Sequence, residues 1–334
     1  MNYRELFELR ESETLSKHAC LSKNTRGRAV PIEESPTRTC FCRDRDRIIH
    51  SKAFRRLKHK TQVFLSPMGD HYRTRLTHTL EVSQISRTIA RCLSLNEDLT
   101  EAIALGHDLG HTPFGHAGER VLNQICPFPF MHNEQSRRVC TTLEKDGKGL
   151  NLTHEVLDGI LCHTGDKIAD TVEGQIVRLA DKIAYINHDI DDAVRAGLLT
   201  ENDLPSEAVK LLGAGHTARI NAMVMGTIEA STDKPFITMT EPVQKGFDIL
   251  HEFLFSTVYL GSKAKVEEGK AQGIIEMLYN YYTKNPEKMP SEYIGIIEKE
   301  GKERAACDFV SSMTDGYAVD KFSQLFVPKS WEIR

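Results

Sequence analysis

The strongest constraint on the fold is a helical pattern over residues 171–197. Its apolar positions recur every three or four residues: Ile176, Leu179, Ile183, Ile186 and Ile190. This spacing predicts an α-helix with one buried face, and Gly197 is a suitable residue at its C-terminal end. Asp181 lies within the apolar pattern. Because a buried carboxylate is costly unless it is paired or bound to a metal ion, Asp181 either caps a helix or pairs with Arg178 or Lys182, or it binds a metal ion.

Most of the remaining chain also has helical periodicity. Further helices are predicted over residues 44–60, 74–93, 96–107, 116–122, 133–145, 153–163, 205–213, 215–230, 241–257, 259–283, 290–300 and 302–313. Residues 236–240 suggest one short strand, and few other segments alternate, so a sheet-based fold is disfavoured. No stretch rich in Pro, Gly or Ser divides the chain. We therefore predict an all-α fold with an irregular N-terminal arm over residues 1–40 and a single domain over residues 41–334.

The composition is that of an ordinary globular protein. Hydrophobic residues make up 40% of the chain and charged residues 27%, and the net charge of −4 argues against a nucleic-acid polycation. The charge is uneven, because nine cations and only two carboxylates lie between Arg38 and Lys60. Such a segment either attracts phosphates or forms a solvated helix face with i,i+4 ion pairs.

The sequence also indicates a compartment. The N-terminal segment MNYRELFELRESE is charged throughout, unlike a secretory signal. No apolar run approaches the ~18 residues of a membrane span, so no membrane partner is expected. The eight cysteines are scattered, which is typical of reduced thiols. We therefore expect a cytoplasmic protein.

Four residues that can bind a metal ion lie in three helical segments. His78 lies in RLTHTLEV, His107 and Asp108 are adjacent in ALGHDLGH, and Asp181 lies in IVRLADKIAY. Neighbouring side chains diverge on a regular helix, so a helix end at His107 would help both residues reach one ion. Two imidazoles and two carboxylates can hold a divalent cation that supports phosphate-ester hydrolysis. We predict one such ion per subunit, with Mn²⁺ or Mg²⁺ favoured over Fe²⁺, Co²⁺, Ni²⁺ or Zn²⁺.

The order H…HD…D resembles the HD-domain superfamily of metal-dependent phosphohydrolases. More closely, the chain resembles the compact branch of the bacterial deoxyguanosinetriphosphate triphosphohydrolase (dGTPase) family. The segments that carry this resemblance are RTRLTHTLEVSQISRTIA, HDLGHTPFGHAGE, MHNEQSRR, NLTHEVLDGIL and QIVRLADKIAYINHDIDD. The resemblance implies an HD-domain helical fold, with a metal-binding core at about residues 60–200 and additional C-terminal helices.

The resemblance also implies a reaction. The family hydrolyses a deoxynucleoside triphosphate (dNTP) to a deoxynucleoside and tripolyphosphate; dGTP and other dNTPs are both candidate substrates. His116 in GHAGE and His132 in MHNEQ match histidines of the family's active site. A positioned histidine can protonate the leaving 5′-oxygen, and His116 is the first candidate. Glu119 lies one turn after His116 and is expected to orient it.

Substrate contacts follow from the same resemblance. Arg75 and Lys182 each lie near a candidate metal ligand and can offset the phosphate charge. Tyr185 and Asp189 share the helix face that receives the sugar in this family, and Gln62 matches another position beside the sugar.

Several residues stay outside the predicted site. His188 is predicted to face away from Asp181, and His163 is predicted to be structural. The sequence assigns no role to four others: His71, His111, Asp315 and Tyr317.

Two other functions remain open. One is an HD-type nucleotidase or phosphodiesterase, which would release monophosphate instead of tripolyphosphate. The other is a nucleic-acid-binding regulator with reduced activity, for which the basic segment 38–60 is the support. A nucleotide or single-stranded DNA could also act as an effector of an active enzyme. The resemblance further implies a homo-oligomer.

Overall fold

The computed structural model of this chain describes residues 1–62, 73–259 and 264–329. Within these ranges it contains helices and no β-strand, and its two isolated bridges join Arg28 to Thr153 and Thr61 to Thr74. The prediction of an all-α fold is confirmed. His71 lies outside the described residues.

The α-helices are α1 (Tyr3–Thr14), α2 (Cys40–Ile49), α3 (Lys52–Arg56), α4 (Arg75–Cys92), α5 (Glu97–Gly106), α6 (His116–Ile125), α7 (His132–Arg138), α8 (Glu144–Gly147), α9 (His154–Cys162), α10 (Val172–Arg195), α11 (Ser206–Leu212), α12 (His216–Ser231), α13 (Glu241–Leu254), α14 (Ala264–Lys284), α15 (Ile294–Glu300), α16 (Lys302–Ser312) and α17 (Asp315–Phe326). Of these, α8 is a single turn in which Lys145 and Asp146 have positive φ. Shorter 3₁₀ segments occupy Ser22–Asn24, Leu57–His59, Glu201–Asp203, Pro286–Lys288 and Ser291–Tyr293, and π-helical turns occupy Val139–Leu143 and Phe255–Tyr259.

The N-terminal arm contains a helix that was predicted to be irregular chain. Asn2 and Glu5 form a capping box at the start of α1: the Asn2 side chain accepts from the Glu5 backbone N–H at 2.9 Å, and the Glu5 carboxylate accepts from the Asn2 backbone N–H at 3.0 Å. No residue of α1 is buried. Apolar periodicity could not reveal this helix, because it has no buried face.

The prediction of a single basic helix over residues 44–60 is wrong. The segment is divided into α2, α3 and the 3₁₀ turn Leu57–His59. The hydroxyl of Ser51 accepts from the backbone N–H of Phe54 at 3.0 Å. This cap starts a new helix at Lys52 and ends the previous one.

Residues 236–240 do not form the predicted strand. The backbone N–H of Ile237 donates to the Gln175 side chain at 3.2 Å, and that of Thr238 donates to the Ser231 hydroxyl at 3.0 Å. Side chains therefore take the place of a neighbouring strand. Helix α17 was also not predicted; the side chain of Thr314 caps its first turn.

Helices α4, α5 and α10 form the centre of the fold. The three contact one another, and α2 and α9 pack against α5. Their buried faces carry aliphatic side chains such as Ile89, Ile103, Ile176 and Ile183. Since α5 ends at Gly106, the predicted helix end before His107 and Asp108 is confirmed.

The C-terminal helices build a second apolar cluster beside the first. Helix α14 contacts α6, α16 and α17, with Leu278 and Val310 fully buried between them. Leu143 packs against both clusters. The C-terminal segment thus supports α6, the helix that begins at His116. The single domain over residues 41–334 stays a prediction.

The turn between α5 and α6 lies directly against α7. A Cβ atom at Gly110 would come within 2.1 Å of the Ser136 backbone nitrogen and 2.3 Å of the Gln135 carbonyl carbon. The Gly110 N–H donates to the Ser136 hydroxyl at 2.9 Å. Only glycine allows this approach, because backbone atoms cannot move aside as a side chain can.

Gly110→Ala should therefore destabilise the protein. Overpacking against backbone costs about 1–3 kcal/mol or more, and the free energy of unfolding in urea measures it. Gly273→Ala is the matched control, because a Cβ there meets no atom within 4 Å and alanine favours the helix by ~1 kcal/mol. Equal stability of the wild type and Gly110→Ala would contradict the described packing.

Candidate metal centre

The four predicted ligands converge from α4, α10 and the end of α5. Nε2 of His78 lies 3.0 Å from Oδ1 of Asp181. Nε2 of His107 lies 3.6 Å from Oδ1 of Asp108 and 3.7 Å from Oδ1 of Asp181. His78, His107 and Asp108 each offer one ligand atom, and these three atoms lie within 4.8 Å of one another. Ligand bonds of about 2.0–2.2 Å place donor atoms roughly 3–4 Å apart, so this cluster could hold one metal ion.

His107 shows why the cluster suits a cation. Its Nδ1 lies 2.6 Å from the Ala104 carbonyl oxygen, which can only accept a hydrogen bond. In a neutral ring, Nε2 therefore carries a lone pair. This buried atom has no hydrogen-bond partner among the described residues, and it faces the two carboxylates at 3.6 and 3.7 Å. A lone pair facing two anions is unfavourable unless a cation lies between them.

A salt bridge fixes the second carboxylate oxygen of Asp108. Nη1 of Arg75 donates to Oδ2 at 2.7 Å, and both side chains are nearly fully buried. Oδ1 is the oxygen that faces His107. Arg75 therefore orients Asp108, as partners of metal ligands commonly do.

Both carboxylates are held in the ionised form. Burial opposes ionisation of Asp108, but His107 and Arg75 hold its pKa well below the usual range. Burial likewise opposes ionisation of Asp181, but the polar rings of His78 and His107 beside it lower its pKa. Ionised carboxylates are the form that binds a metal ion.

A second group of side chains lies beside the cluster. Glu119 was predicted to orient His116, and that role stays a prediction. In the structure its carboxylate accepts from the backbone N–H of His132 at 2.8 Å and lies 2.9 Å from Nδ1 of the same residue. His132 is the first residue of α7, so its backbone N–H has no intrahelical acceptor. The Glu119 carboxylate satisfies that N–H and the ring together.

Hydrogen-bond geometry indicates that His132 is doubly protonated. Nδ1 of His163 lies 2.7 Å from the Ile160 carbonyl oxygen, so Nε2 of His163 must be an acceptor. Nε2 of His132 lies 3.2 Å from that atom and must donate, while its Nδ1 donates to Glu119. Burial lowers the pKa of His132, but Glu119 outweighs it and raises the pKa above its ordinary value. His132 thus stores a proton.

His116 and His111 are in the opposite state. His116 is exposed, yet the surrounding protein and the charges of Arg75 and His132 lower its pKa to about 4. His111 is buried and stacks on His132 with ring centroids 4.5 Å apart. Burial and Arg75 lower the pKa of His111 well below its ordinary value. Both rings are neutral near pH 7.

Two other groups of side chains also have ligand atoms within 4.8 Å of one another. One group is Asp108, His111 and His132, and the other is His111, His116 and Glu119. Both are less suited to a cation than the first cluster. The Glu119 carboxylate already binds His132, and the Arg75 guanidinium repels positive charge at His111.

The predicted substrate residues have different surroundings. Gln62 has a buried side-chain oxygen, and Arg75 a buried Nε, with no hydrogen-bond partner in the described chain. Lys182 is exposed and lines a cleft. Tyr185 lies one turn before Asp189 on α10; Asp189 is fully buried, and burial together with Asp192 raises its pKa. Their substrate roles stay predictions.

Sequence reasoning missed two histidines. His188 was predicted to face away from Asp181, but Nδ1 of His188 lies 3.4 Å from Nδ1 of His78. Seven residues make nearly two helical turns, which brings His188 back to the side of Asp181. His163 lies 3.2 Å from His132, and its ring centroid is 5.0 Å from that of His107.

The role of Asp315 becomes clear in the fold. Its carboxylate accepts from the backbone N–H and hydroxyl of Thr61, at 2.9 and 2.7 Å, and from the backbone N–H of Phe114 at 3.0 Å. Lys60 adds a second link, because its buried ammonium donates to the carbonyl oxygens of His111 and Ser311. The C-terminal helices therefore hold the turn that precedes His116. Tyr317 is exposed and has no assigned role.

Comparison with known proteins identifies the family. The HD-domain family matches residues 75–186, which include all four candidate ligands, and the phosphohydrolase-associated domain matches residues 237–324. A deoxyguanosinetriphosphate triphosphohydrolase-like protein of Caldanaerobacter subterraneus is 56% identical over 99% of this chain and 98% of its own length. This chain belongs to the deoxyguanosinetriphosphate triphosphohydrolase-like family. Relatives with the same name from Clostridium perfringens and Clostridium tetani are 51% and 48% identical, each over 98% of this chain and over 99% and 97% of their own lengths.

Solved structures share the fold at low sequence identity. A phosphohydrolase from Bacteroides thetaiotaomicron has a TM-score of 0.55 at 16% identity, covering 84% of this chain and 69% of that chain. A hypothetical protein from Aquifex aeolicus has a TM-score of 0.51 at 19% identity, covering 86% of this chain and 68% of that chain. The family and the HD-domain fold agree with the sequence prediction. Among the helices of the described residues, none has the length and apolar character needed to cross a membrane.

The pair of Glu119 and His132 should give stability a distinct pH dependence. Burial raises the pKa of Glu119, but His132 outweighs it and lowers the value to about 2 from 4.5, so its contribution is lost as pH falls through that range. His132 has a pKa above 6.5, so its contribution is lost as pH rises through the raised value.

Glu119→Gln should therefore cost roughly 2–3 kcal/mol between about pH 4.5 and 6.5, and less outside this window. Urea unfolding across pH measures the difference from the wild type. Glu207→Gln, which removes an exposed pair with Lys245, should leave the pH profile unchanged. A pH-independent difference for Glu119→Gln would exclude the ion pair.

Proposed function

We propose that this chain is a metal-dependent dNTP triphosphohydrolase that releases a deoxynucleoside and tripolyphosphate. The observation that carries the proposal is the buried lone pair of His107, which faces two ionised carboxylates and has no partner among the described residues. The names of the relatives support the substrate class.

The four side chains that would hold the ion are His78, His107, Asp108 and Asp181. Mixed imidazole and carboxylate ligands suit Mn²⁺, and also Fe²⁺, Co²⁺, Ni²⁺ or Zn²⁺; Mg²⁺ would need water ligands in addition. A divalent ion bound there supplies positive charge that polarises a phosphate ester and favours ionisation of water. Arg75 keeps Asp108 oriented and ionised for this purpose.

We assign the proton for the leaving 5′-oxygen to the pair of Glu119 and His132. A general acid must be protonated at working pH. His132 meets this condition, whereas the low pKa of His116 leaves that ring neutral. His116 is exposed and remains the candidate for a direct hydrogen bond to the reacting phosphate. This assignment replaces the expectation that His116 stores the proton.

Triphosphate and sugar contacts complete the proposal. The free Nε of Arg75 and the side-chain oxygen of Gln62 offer a buried donor and a buried acceptor beside the metal centre. Lys182 is an exposed cation next to Asp181 and can pair with the distal phosphates. Tyr185 and Asp189 would select the deoxyribose, with Asp189 accepting from the 3′-hydroxyl. A homo-oligomer and a nucleotide or single-stranded DNA effector remain predictions.

Product chromatography tests the proposed reaction. Wild-type protein with Mn²⁺ and each of the four dNTPs should release tripolyphosphate and deoxynucleoside. Release of monophosphate would instead support a nucleotidase, and turnover without any divalent ion would contradict the metal dependence.

Asp181→Ala should lower turnover by at least about a thousandfold, because it removes a ligand and leaves the other groups without their cation. Asp320→Ala is the matched control, since Asp320 is an exposed residue of α17. Activity of Asp181→Ala close to that of the control would refute the ligand assignment.

A further inference from the structure

His188 and Glu81 lie directly behind the candidate ligand His78 and are not among the predicted site residues. His188 is on α10 and Glu81 on α4, one turn after His78. Nδ1 of His188 lies 3.4 Å from Nδ1 of His78, on the side of the ring opposite the metal-facing Nε2. The side chains of both histidines are at most 2% exposed.

The position of one proton determines whether His78 can bind a metal ion. A neutral imidazole has one N–H and one lone pair. If the proton is on Nε2, it points at Asp181, 3.0 Å away, and no lone pair is available there. If the proton is on Nδ1, Nε2 is free to bind a cation. The neighbour of Nδ1 therefore selects between a competent and an incompetent ligand.

Glu81 determines, through His188, which nitrogen of His78 carries the proton. Its Oε2 lies 2.7 Å from Nε2 of His188, and a carboxylate this close favours the tautomer of His188 with its proton on Nε2. The proton belongs to the imidazole, because His188 and Arg73 outweigh burial and lower the pKa of Glu81. A neutral His188 ring has one N–H, and with that proton on Nε2, facing Glu81, its Nδ1 carries a lone pair. That lone pair can only accept from His78.

Arg73 holds Glu81 in place. Its guanidinium lies 3.3 Å from Oε2 of Glu81, and it also pairs with Asp191 and Asp192 on α10 at 3.3 Å each. The carboxylate is therefore anchored between α4 and α10.

We propose that His188, held by Glu81, is a positioning residue that keeps the proton of His78 on Nδ1 and its Nε2 available for the metal ion. His107 uses a backbone carbonyl, that of Ala104, for the same purpose. Nδ1 of His78 makes its hydrogen bond with His188 instead, so the side-chain pair takes the place of a carbonyl. This inference rests on the proposed metal centre.

Isothermal titration calorimetry of the metal-free protein with Mn²⁺ tests the inference without using activity. His188→Leu removes the acceptor and should weaken Mn²⁺ binding about 10–100-fold. His188→Asn should recover most of the affinity, to within about threefold of the wild type, because its carboxamide oxygen can accept from Nδ1 of His78. His216→Leu is the matched control and should bind as the wild type does, since His216 contacts Asp191 and not His78.

Glu81→Gln provides a variant that is safer for folding, because the side chain of Glu81 is 39% exposed. A carboxamide can donate to His188 and reverse the proton order, so Mn²⁺ affinity should fall about 3–10-fold. Thermal unfolding of each metal-free variant confirms that it is folded.

The outcomes separate the two proposals. If the wild type binds no divalent ion, the metal centre itself is wrong. If the wild type binds Mn²⁺ and both His188→Leu and Glu81→Gln bind equally well, only the positioning role is wrong. Equal losses in His188→Leu and His188→Asn would also overturn it, because a role limited to the acceptor predicts rescue.

Discussion

The contact between α4 and α10 is the interaction on which the site depends. Apolar side chains such as Ile89 and Ile176 drive these helices together in the core, and the same packing brings His78 to within 3.0 Å of Asp181. His78 is buried and Asp181 is partly buried, and their contact compensates for the hydration that each loses. The hydrophobic core therefore provides the free energy that concentrates two histidines and two carboxylates at one point, where a cation would offset the repulsion between the carboxylates.

Around this cluster the protein fixes the protonation states of histidines as well as the positions of their side chains. Backbone carbonyls at the ends of α5 and α9 fix the tautomers of His107 and His163, and Glu119 holds a second proton on His132. The neutral rings can therefore bind a cation, whereas the protonated ring of His132 can donate a proton. The C-terminal helices contribute from the other side, since Asp315 holds the turn before α6.

The sequence predicted the all-α fold, the central helices and the convergence of the four candidate ligands. These depend on apolar periodicity and on short motifs, which are local properties of the chain. It failed where geometry depends on contacts between distant segments. Glu119 contacts His132 because the connection between α6 and α7 reverses the direction of the chain. No local sequence pattern predicts that reversal. His188 could have been placed correctly from helical geometry, because it follows Asp181 by seven residues. Helix α1 was missed because it has a capping box but no buried face.

The most direct test of the account is a crystal structure of the protein with Mn²⁺, with data collected near the manganese absorption edge. We expect one anomalous peak per subunit, about 2.0–2.3 Å from Nε2 of His78, Nε2 of His107 and carboxylate oxygens of Asp108 and Asp181. No peak in this cluster, or a peak bound instead by His111, His116 and Glu119, would contradict it.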